Sequence, residues 1–313
     1  MNRRTAIRLF AATAGATAAA VVARQAQRRA RLLRTQGKNV RDDFVAKYPV
    51  ERSFVTVAGC RTHVYVAGPK ESDRRPLLLL HGGVIEAASW MEAVTALCAD
   101  RLVIAPDLPA HGASGYLPPP QLLGWLEAFV NHSDLHNFDL CGHSMGGGLA
   151  IRYAAQHGDR VRRLILCAPV GMGLVFPRVW PEPWNTGLLP FPLSDSLIEK
   201  VWGDHHRLTP TQRWQFDLIF SDFFLSRRWW WYVSGGWQWL LDLPASVLES
   251  ITSPTLFLWG EKDRIVPFNG ARTAPFMDHL PHARVHFFPS LGHLPQVESP
   301  DEFNAVIRDF LPD

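Results

Sequence analysis

What the chain lacks narrows it first. Its four cysteines, Cys60, Cys98, Cys141 and Cys167, show no CxxC or other metal-type spacing, which removes zinc-ribbon and dithiol redox readings. Cys141 and Cys167 close apolar runs and are expected to be buried, reduced, small core residues. Charge is scarce as well: 19% of residues are charged and the net charge is only +3. That charge is unevenly placed, because Arg3, Arg4, Arg8, Arg24, Arg28, Arg29, Arg31, Arg34, Lys38 and Arg41 crowd the start. The remainder is mildly acidic, so no general nucleic-acid-binding surface is expected. Long apolar runs are missing too. The N-terminal one, from about Leu9 to Ala23, is short of the roughly 20 residues that span a bilayer.

What is present is core. With 313 residues and 47% hydrophobic content, the chain can bury one large domain with an insertion. The first 48 residues stand apart. A basic start, a weakly apolar Ala/Gly/Thr stretch and a second basic block are expected to associate with a membrane, the polybasic part lying on anionic headgroups. The alternative is export, since Asn2-Arg3-Arg4-Thr5 resembles a twin-arginine signal. Ala6, however, stands where such signals carry a bulky apolar residue.

Beyond Pro49, short apolar runs alternate with helical stretches. "SFVTVAG" and "RTHVYVAG" alternate in polarity, and Gly59-Cys60 between them signals a hairpin. "PLLLLHGG" reads as a strand buried on both faces, and "RLVIAPDLPAHG", "FDLCGHS", "VRRLILCAPVG" and "PTLFLWGEKDRIVP" as further strands. Helices are expected through "WMEAVTALCAD", "LLGWLEAFVNH", "GGGLAIRYAAQHG" and "PDEFNAVIRDFL". Such alternation predicts an α/β fold with a parallel sheet between helical layers. The core is assigned to residues 49–170 and 250–313. Between them the rhythm breaks: residues 171–249 hold nine of the twelve tryptophans and no buried strand, and are expected to form a helical, Trp-rich cap.

"DLCGHSMGGGLA" carries the chemistry. Gly142-His143-Ser144-Met145-Gly146 is a G-x-S-x-G pattern directly after a strand and before a helix. A serine on so sharp a turn has glycines two positions away on each side because side chains there would collide. Its hydroxyl projects from the sheet edge, and the Met145 N–H points into the same space at a helix N-terminus. A serine hydroxyl needs a base, and of thirteen histidines the best placed is His293 in "SLGHLPQVESP". His143 is expected to pack beside the nucleophile, and His81 to order the loop after its strand. His293 in turn needs a carboxylate to fix its tautomer. Asp263 in "WGEKDRIVP" is chosen over its neighbour Glu261 and over Asp107, which is expected to tie down its own loop. A second oxyanion donor is expected from Gly83 N–H in "HGGVIE", with Val84 as the fallback.

Together "LLLHGG", "DLPAHGAS", "GHSMGG", "GEKDRIVP" and "GHLPQVESP" resemble the α/β-hydrolase superfamily. The resemblance covers residues 50–170 and 250–313. It implies an eight-stranded, mostly parallel sheet with a helical cap, a triad of Ser144, Asp263 and His293, and oxyanion donors at Gly83 and Met145. Within the superfamily the chain resembles membrane-associated monoacylglycerol lipases and carboxylesterases, which implies an uncharged, apolar ester as substrate. Carbon–carbon bond hydrolases of aromatic-ring breakdown are the alternative. They typically carry a longer glycine run in the oxyanion loop and tryptophan after the last histidine, where this chain has Leu294. A non-catalytic, membrane-associated binding protein is the reading from a different class. No metal, nucleotide or organic cofactor is implied, and no particular substrate-binding residues are singled out.

Overall fold

A computed structural model of the protein describes residues 46–172, 201–204, 208, 238–271 and 273–311. Eight strands make one sheet: β1 (Glu51–Val57), β2 (Cys60–Ala67), β3 (Leu77–Leu80), β4 (Val103–Pro106), β5 (Phe138–His143), β6 (Val161–Cys167), β7 (Thr255–Gly260) and β8 (Arg284–Phe288). Their order across the sheet is β1-β2-β4-β3-β5-β6-β7-β8. β1 pairs antiparallel with β2, and β2 antiparallel with β4. Every other neighbouring pair is parallel.

The hairpin turn differs by one residue from the sequence expectation. Ala58 and Gly59 occupy it with φ of 48° and 76°, while Cys60 already pairs with Val57. Positive φ at both central positions matches the twist of the flanking strands, and Cys60 is freed to bury its thiol.

The leucine-rich strands explain the layering. In β3, Leu78 and Leu80 join one core cluster while Leu77 and Leu79 join the other. The same alternation divides Leu164 and Leu166 from Ile165 and Cys167 in β6. A strand buried on both faces needs a helical layer on each side. On one side stand α1 (Met91–Leu97) and, at the chain end, the helix Pro300–Phe310. Met91, Val94 and Leu97 there share a cluster with Phe303, Ile307 and Phe310 beneath Leu77, Leu79, Ile165, Cys167, Leu256 and Leu258. On the other stand α2 (Leu122–His132) and α3 (Met145–Gln156), which bury Trp125, Phe129, Leu149 and Tyr153. Each fully buried large side chain contributes about 1.5–3 kcal/mol. Cys60, Cys141 and Cys167 are buried free thiols, and burial pushes all three thiol pKa values up, as expected of inert core residues.

Three short helices follow: α4 (Ala245–Glu249), α5 (Ala274–Met277) and α6 (Pro295–Glu298), with Pro300–Phe310 as α7. The start of α7 is encoded locally. Pro300 takes the first turn, where its missing N–H costs nothing, and Asp301 and Glu302 face the positive end of the helix.

Residues 1–45 of the expected N-terminal segment, and most of the expected cap at 171–249, lie outside the described residues. Of the cap, only 171–172, 201–204, 208 and 238–249 are described. Among the described residues no helix is long and apolar enough to cross a membrane.

Candidate active site

Parallel strands of such a sheet deliver their following loops to one edge. Gly82 and Gly83 follow β3, Asp107 follows β4, Ser144 follows β5, Asp263 follows β7 and His293 follows β8. The residues singled out in the sequence therefore gather at the C-terminal ends of the strands.

Ser144 is held in a sparsely populated conformation, φ 51° and ψ −112°. A non-glycine residue there costs about 1–3 kcal/mol and persists only when its surroundings fix it. Ser144 N–H donates to Cys167 O (2.8 Å), and its carbonyl accepts from Gly148 N–H (3.0 Å) and Val170 N–H (3.1 Å). The flanking glycines are spatial necessities. A Cβ at Gly142 would lie 2.7 Å from the Gly146 carbonyl carbon, and one at Gly147 would lie 2.8 Å from Pro169 Cβ.

Asp263 and His293 come together as expected. His293 Nδ1–H donates to Asp263 Oδ2 at 2.7 Å, and the other carboxylate oxygen accepts from Ile265 and Val266 N–H, each at 2.8 Å. Both side chains are buried, whereas Glu261 is exposed. A carboxylate pinned from the backbone side presents one oxygen to the ring, so the tautomer is fixed with the proton on Nδ1. Nε2 is left as the basic nitrogen.

His143 does more than pack. Its ring lies 4.7 Å from that of His293, and its Nε2–H donates to the His293 carbonyl at 2.7 Å. Burial and the neighbouring His293 lower its pKa well below the ordinary value, so it is a neutral donor. Gly82 sits against this pair: a Cβ there would be 2.6 Å from His143 Nδ1 and 3.2 Å from Ser144 Cβ. Ser144, His143 and the loop after β3 thus share one small volume, with the His293 ring against that of His143. In that loop the left-handed residue is Val84 (φ 67°), not a glycine. Gly82 serves close approach instead.

His81 and Asp107 organise the surrounding loops, as the sequence suggests. His81 donates from Nδ1 to Gly82 O (2.7 Å) and accepts at Nε2 from Leu108 N–H (2.9 Å); burial lowers its pKa, keeping it neutral for both roles. Asp107 accepts from Ala87 N–H and Ala113 N–H, each at 2.8 Å, and from His63 Nδ1–H at 2.9 Å. Burial works to raise the Asp107 carboxyl, but the hydrogen bond and electrostatic attraction of His63 outweigh it and hold the pKa well below the ordinary carboxylate range. A depressed acid pKa stabilises the fold above the unfolded value of about 3.9, and that stability is lost as pH falls toward the folded value. Asp107→Ala is therefore expected to cost about 3–5 kcal/mol at neutral pH by stranding buried partners. Denaturant melts at pH 6 and pH 3 should show a larger acid loss in the wild type than in the variant.

Glu298 was not singled out in the sequence. Its Oε2 accepts from Gly292 and Gly203 N–H, each at 2.9 Å, and its Oε1 from Leu294 N–H at 3.0 Å. The only signal for it was its place five residues beyond His293 in "GHLPQVES". An apolar cluster of Ile85, Val201, Trp202 and Leu294, with Val84 and Ile265 against it, joins the loops after β3, β7 and β8 to residues 201–202. Among the described residues no group of three or more His, Cys, Asp or Glu side chains is placed to hold a metal ion.

A strained serine between a strand and a helix, and a histidine oriented by a buried carboxylate, both at the C-terminal edge of an eight-stranded sheet, fit a hydrolase class. The chain belongs to the Alpha/beta hydrolase family, whose pattern it matches over residues 77–306. It is 26% identical over 287 residues to the 2-hydroxymuconate semialdehyde hydrolase of Pseudomonas sp. (strain CF600), covering 82% of this chain and 92% of that protein. Among solved structures it resembles a bacterial membrane phospholipase A, with a TM-score of 0.72 and 21% identity across 99% of this chain and 98% of that one. It also resembles a carboxylesterase of Bacillus subtilis, with a TM-score of 0.70 and 20% identity across 88% of this chain and 97% of that one. At such identities these structures establish the shared fold.

Proposed function

We propose that this protein is a serine hydrolase that cleaves uncharged carboxylic esters of apolar acids through an acyl-enzyme on Ser144. The observation that carries the reading is the wiring of His293. With Nδ1–H committed to Asp263, its Nε2 is the base for a hydroxyl presented on the adjoining strained bend. Ser144 Oγ attacks the ester carbonyl as His293 Nε2 takes its proton, and Asp263 stabilises the imidazolium. The N–H groups of Gly83 and Met145 receive the developing oxyanion, a role worth about 3–4 kcal/mol of barrier per donor. His293 then protonates the departing alcohol, and the same nitrogen activates the water that releases the acid.

The apolar cluster favours an uncharged acyl chain. Val84, Ile265 and Leu294 flank the three catalytic loops, and a charged acid lying on them would be stripped of water without compensation. Carbon–carbon bond hydrolysis of a ring-fission dienoate is the second reading, favoured by the likeness to the 2-hydroxymuconate semialdehyde hydrolase of Pseudomonas. It uses the same serine and histidine. The chain's Leu294 and its short glycine run favour the ester. A panel of p-nitrophenyl esters from acetate to laurate, run beside a ring-fission dienoate, separates the two. Higher kcat/KM on medium or long esters supports the ester reading; faster turnover of the dienoate reverses it.

The carboxylate assignment has its own test. Asp263→Asn leaves the ring's neighbour in place but favours the wrong tautomer, and is expected to lower kcat by about 10⁴-fold. Glu261→Gln, at an exposed position, should leave kcat within about twofold of the wild type. Reversal of these two effects would transfer the role to Glu261.

A further inference from the structure

His293 has three polar groups besides Nε2, and each is committed. Its ring Nδ1–H donates to Asp263, its carbonyl accepts from His143, and its own N–H donates to Val201 O at 2.7 Å. The residues on either side are held by a single carboxylate: Gly292 and Leu294 both donate their N–H groups to Glu298. The third donor to that carboxylate is Gly203, which belongs to the same short cap segment as Val201. Among the described residues two hydrogen bonds therefore join residues 201–203 to the segment around the base, and Glu298 makes one of them.

Packing leaves this junction little slack. A Cβ at Gly203 would meet the Leu291 carbonyl carbon at 2.5 Å and Gly292 N at 2.6 Å, and one at Gly292 would meet Val201 O at 2.5 Å. Backbone lies on backbone, so neither segment shifts without the other. Glu298 also closes the first turn of α6 on itself. Its N–H donates to Leu294 O at 2.9 Å while its side chain receives Leu294 N–H, so the residue after the histidine is held at both of its backbone polar groups.

We infer that Glu298 is the positioning residue for His293, and that through it the Val201–Gly203 segment of the cap sets where the base stands relative to Ser144. Glu298 touches no reacting atom. It acts by fixing both peptide neighbours of the histidine and binding them to the cap. An error of about 1 Å in such a group costs up to a hundredfold in rate. The role rests on the serine-hydrolase reading for its effect on turnover, but the positioning itself can be read without a substrate.

Glu298→Gln is the decisive variant, because the amide keeps the shape while turning one acceptor into a donor that faces backbone N–H groups. In the full-length protein, three readouts are compared with the wild type. The expected results are a fall of about 10- to 100-fold in kcat on a p-nitrophenyl ester with KM within twofold, a parallel fall in the rate of fluorophosphonate labelling at Ser144, and a shifted or lost far-downfield proton resonance of His293 Nδ1–H. Glu298→Asp, which keeps the charge one methylene short, is measured alongside and replaces the amide variant should that one fail to fold; the same kcat-selective fall is expected. An unchanged resonance together with wild-type labelling, or a loss confined to KM, overturns the positioning role. A wild-type protein that is not labelled at Ser144 overturns the serine-hydrolase reading instead, and the resonance alone then decides for or against Glu298.

Discussion

Ser144→Ala is expected to lower ester turnover by at least about 10⁴-fold, because nucleophile and base act as one unit and removing either forfeits the whole. His293→Ala should cost nearly as much, and the double variant little more than either alone. Measured kcat values for the two single variants and the double test this non-additivity. Near-additive losses would mean the two residues do not act on the same step. The serine position has a second, opposite consequence. Its φ of 51° and ψ of −112° are accessible to glycine without strain but not to alanine. Ser144→Gly should therefore be as inactive as Ser144→Ala yet more stable, by about 1 kcal/mol or more. That pairing would show directly that strain at the nucleophile is maintained against the stability of the fold.

The second large effect concerns Gly146. A Cβ there would meet His81 O at 2.5 Å and the carbonyl carbon of Leu80 at 2.7 Å. These are backbone atoms of β3 and of the residue after it, held in register against β5 from Leu77–Asp139 to Leu80–Gly142. They cannot retreat without parting two central strands, so no rotamer change relieves the clash. Gly146→Ala is expected to destabilise the protein by at least about 3 kcal/mol or to leave it insoluble. Gly124 supplies the contrast. It lies inside α2 with nothing within 4 Å of an added Cβ, so Gly124→Ala should stabilise by about 0.4–1 kcal/mol through reduced freedom of the unfolded chain. Thermal and denaturant melts of the two variants measure both signs. Similar behaviour of the two would refute the steric account of the serine turn.

The layout of the sheet, the sharp turn at Ser144 and the pairing of Asp263 with His293 were legible because each rests on a local rule. Continuous leucine runs mark doubly covered strands, and a serine between glycines after such a run marks a sharp turn. Asp263 could be preferred to Glu261 by its depth in the loop, and the structure shows the physical difference: one carboxylate is pinned by two backbone N–H groups, the other is exposed. The hairpin turn lies one residue earlier than Gly59-Cys60 suggests, because Gly59 is the turn's second residue and not its first. The second glycine-like conformation falls on Ala58 instead, a residue with no turn signal.

What stayed hidden was long-range and made through the backbone. His143 reaches the carbonyl of His293 across 150 positions, and Glu298 reaches Gly203 across 95. Such bonds depend on where a peptide group points, which residue types do not disclose. Val84 at positive φ was hidden for the same reason, since a β-branched side chain argues against that conformation.

The claim at the centre is that Ser144 alone carries enhanced nucleophilicity, conferred by His293. Incubation of the wild-type protein with a fluorophosphonate, followed by peptide mass spectrometry, tests it most directly. The account predicts one adduct per chain, on Ser144, and none in His293→Ala on the same timescale. An adduct on any other serine, or equal labelling of Ser144 once the imidazole is gone, would contradict it.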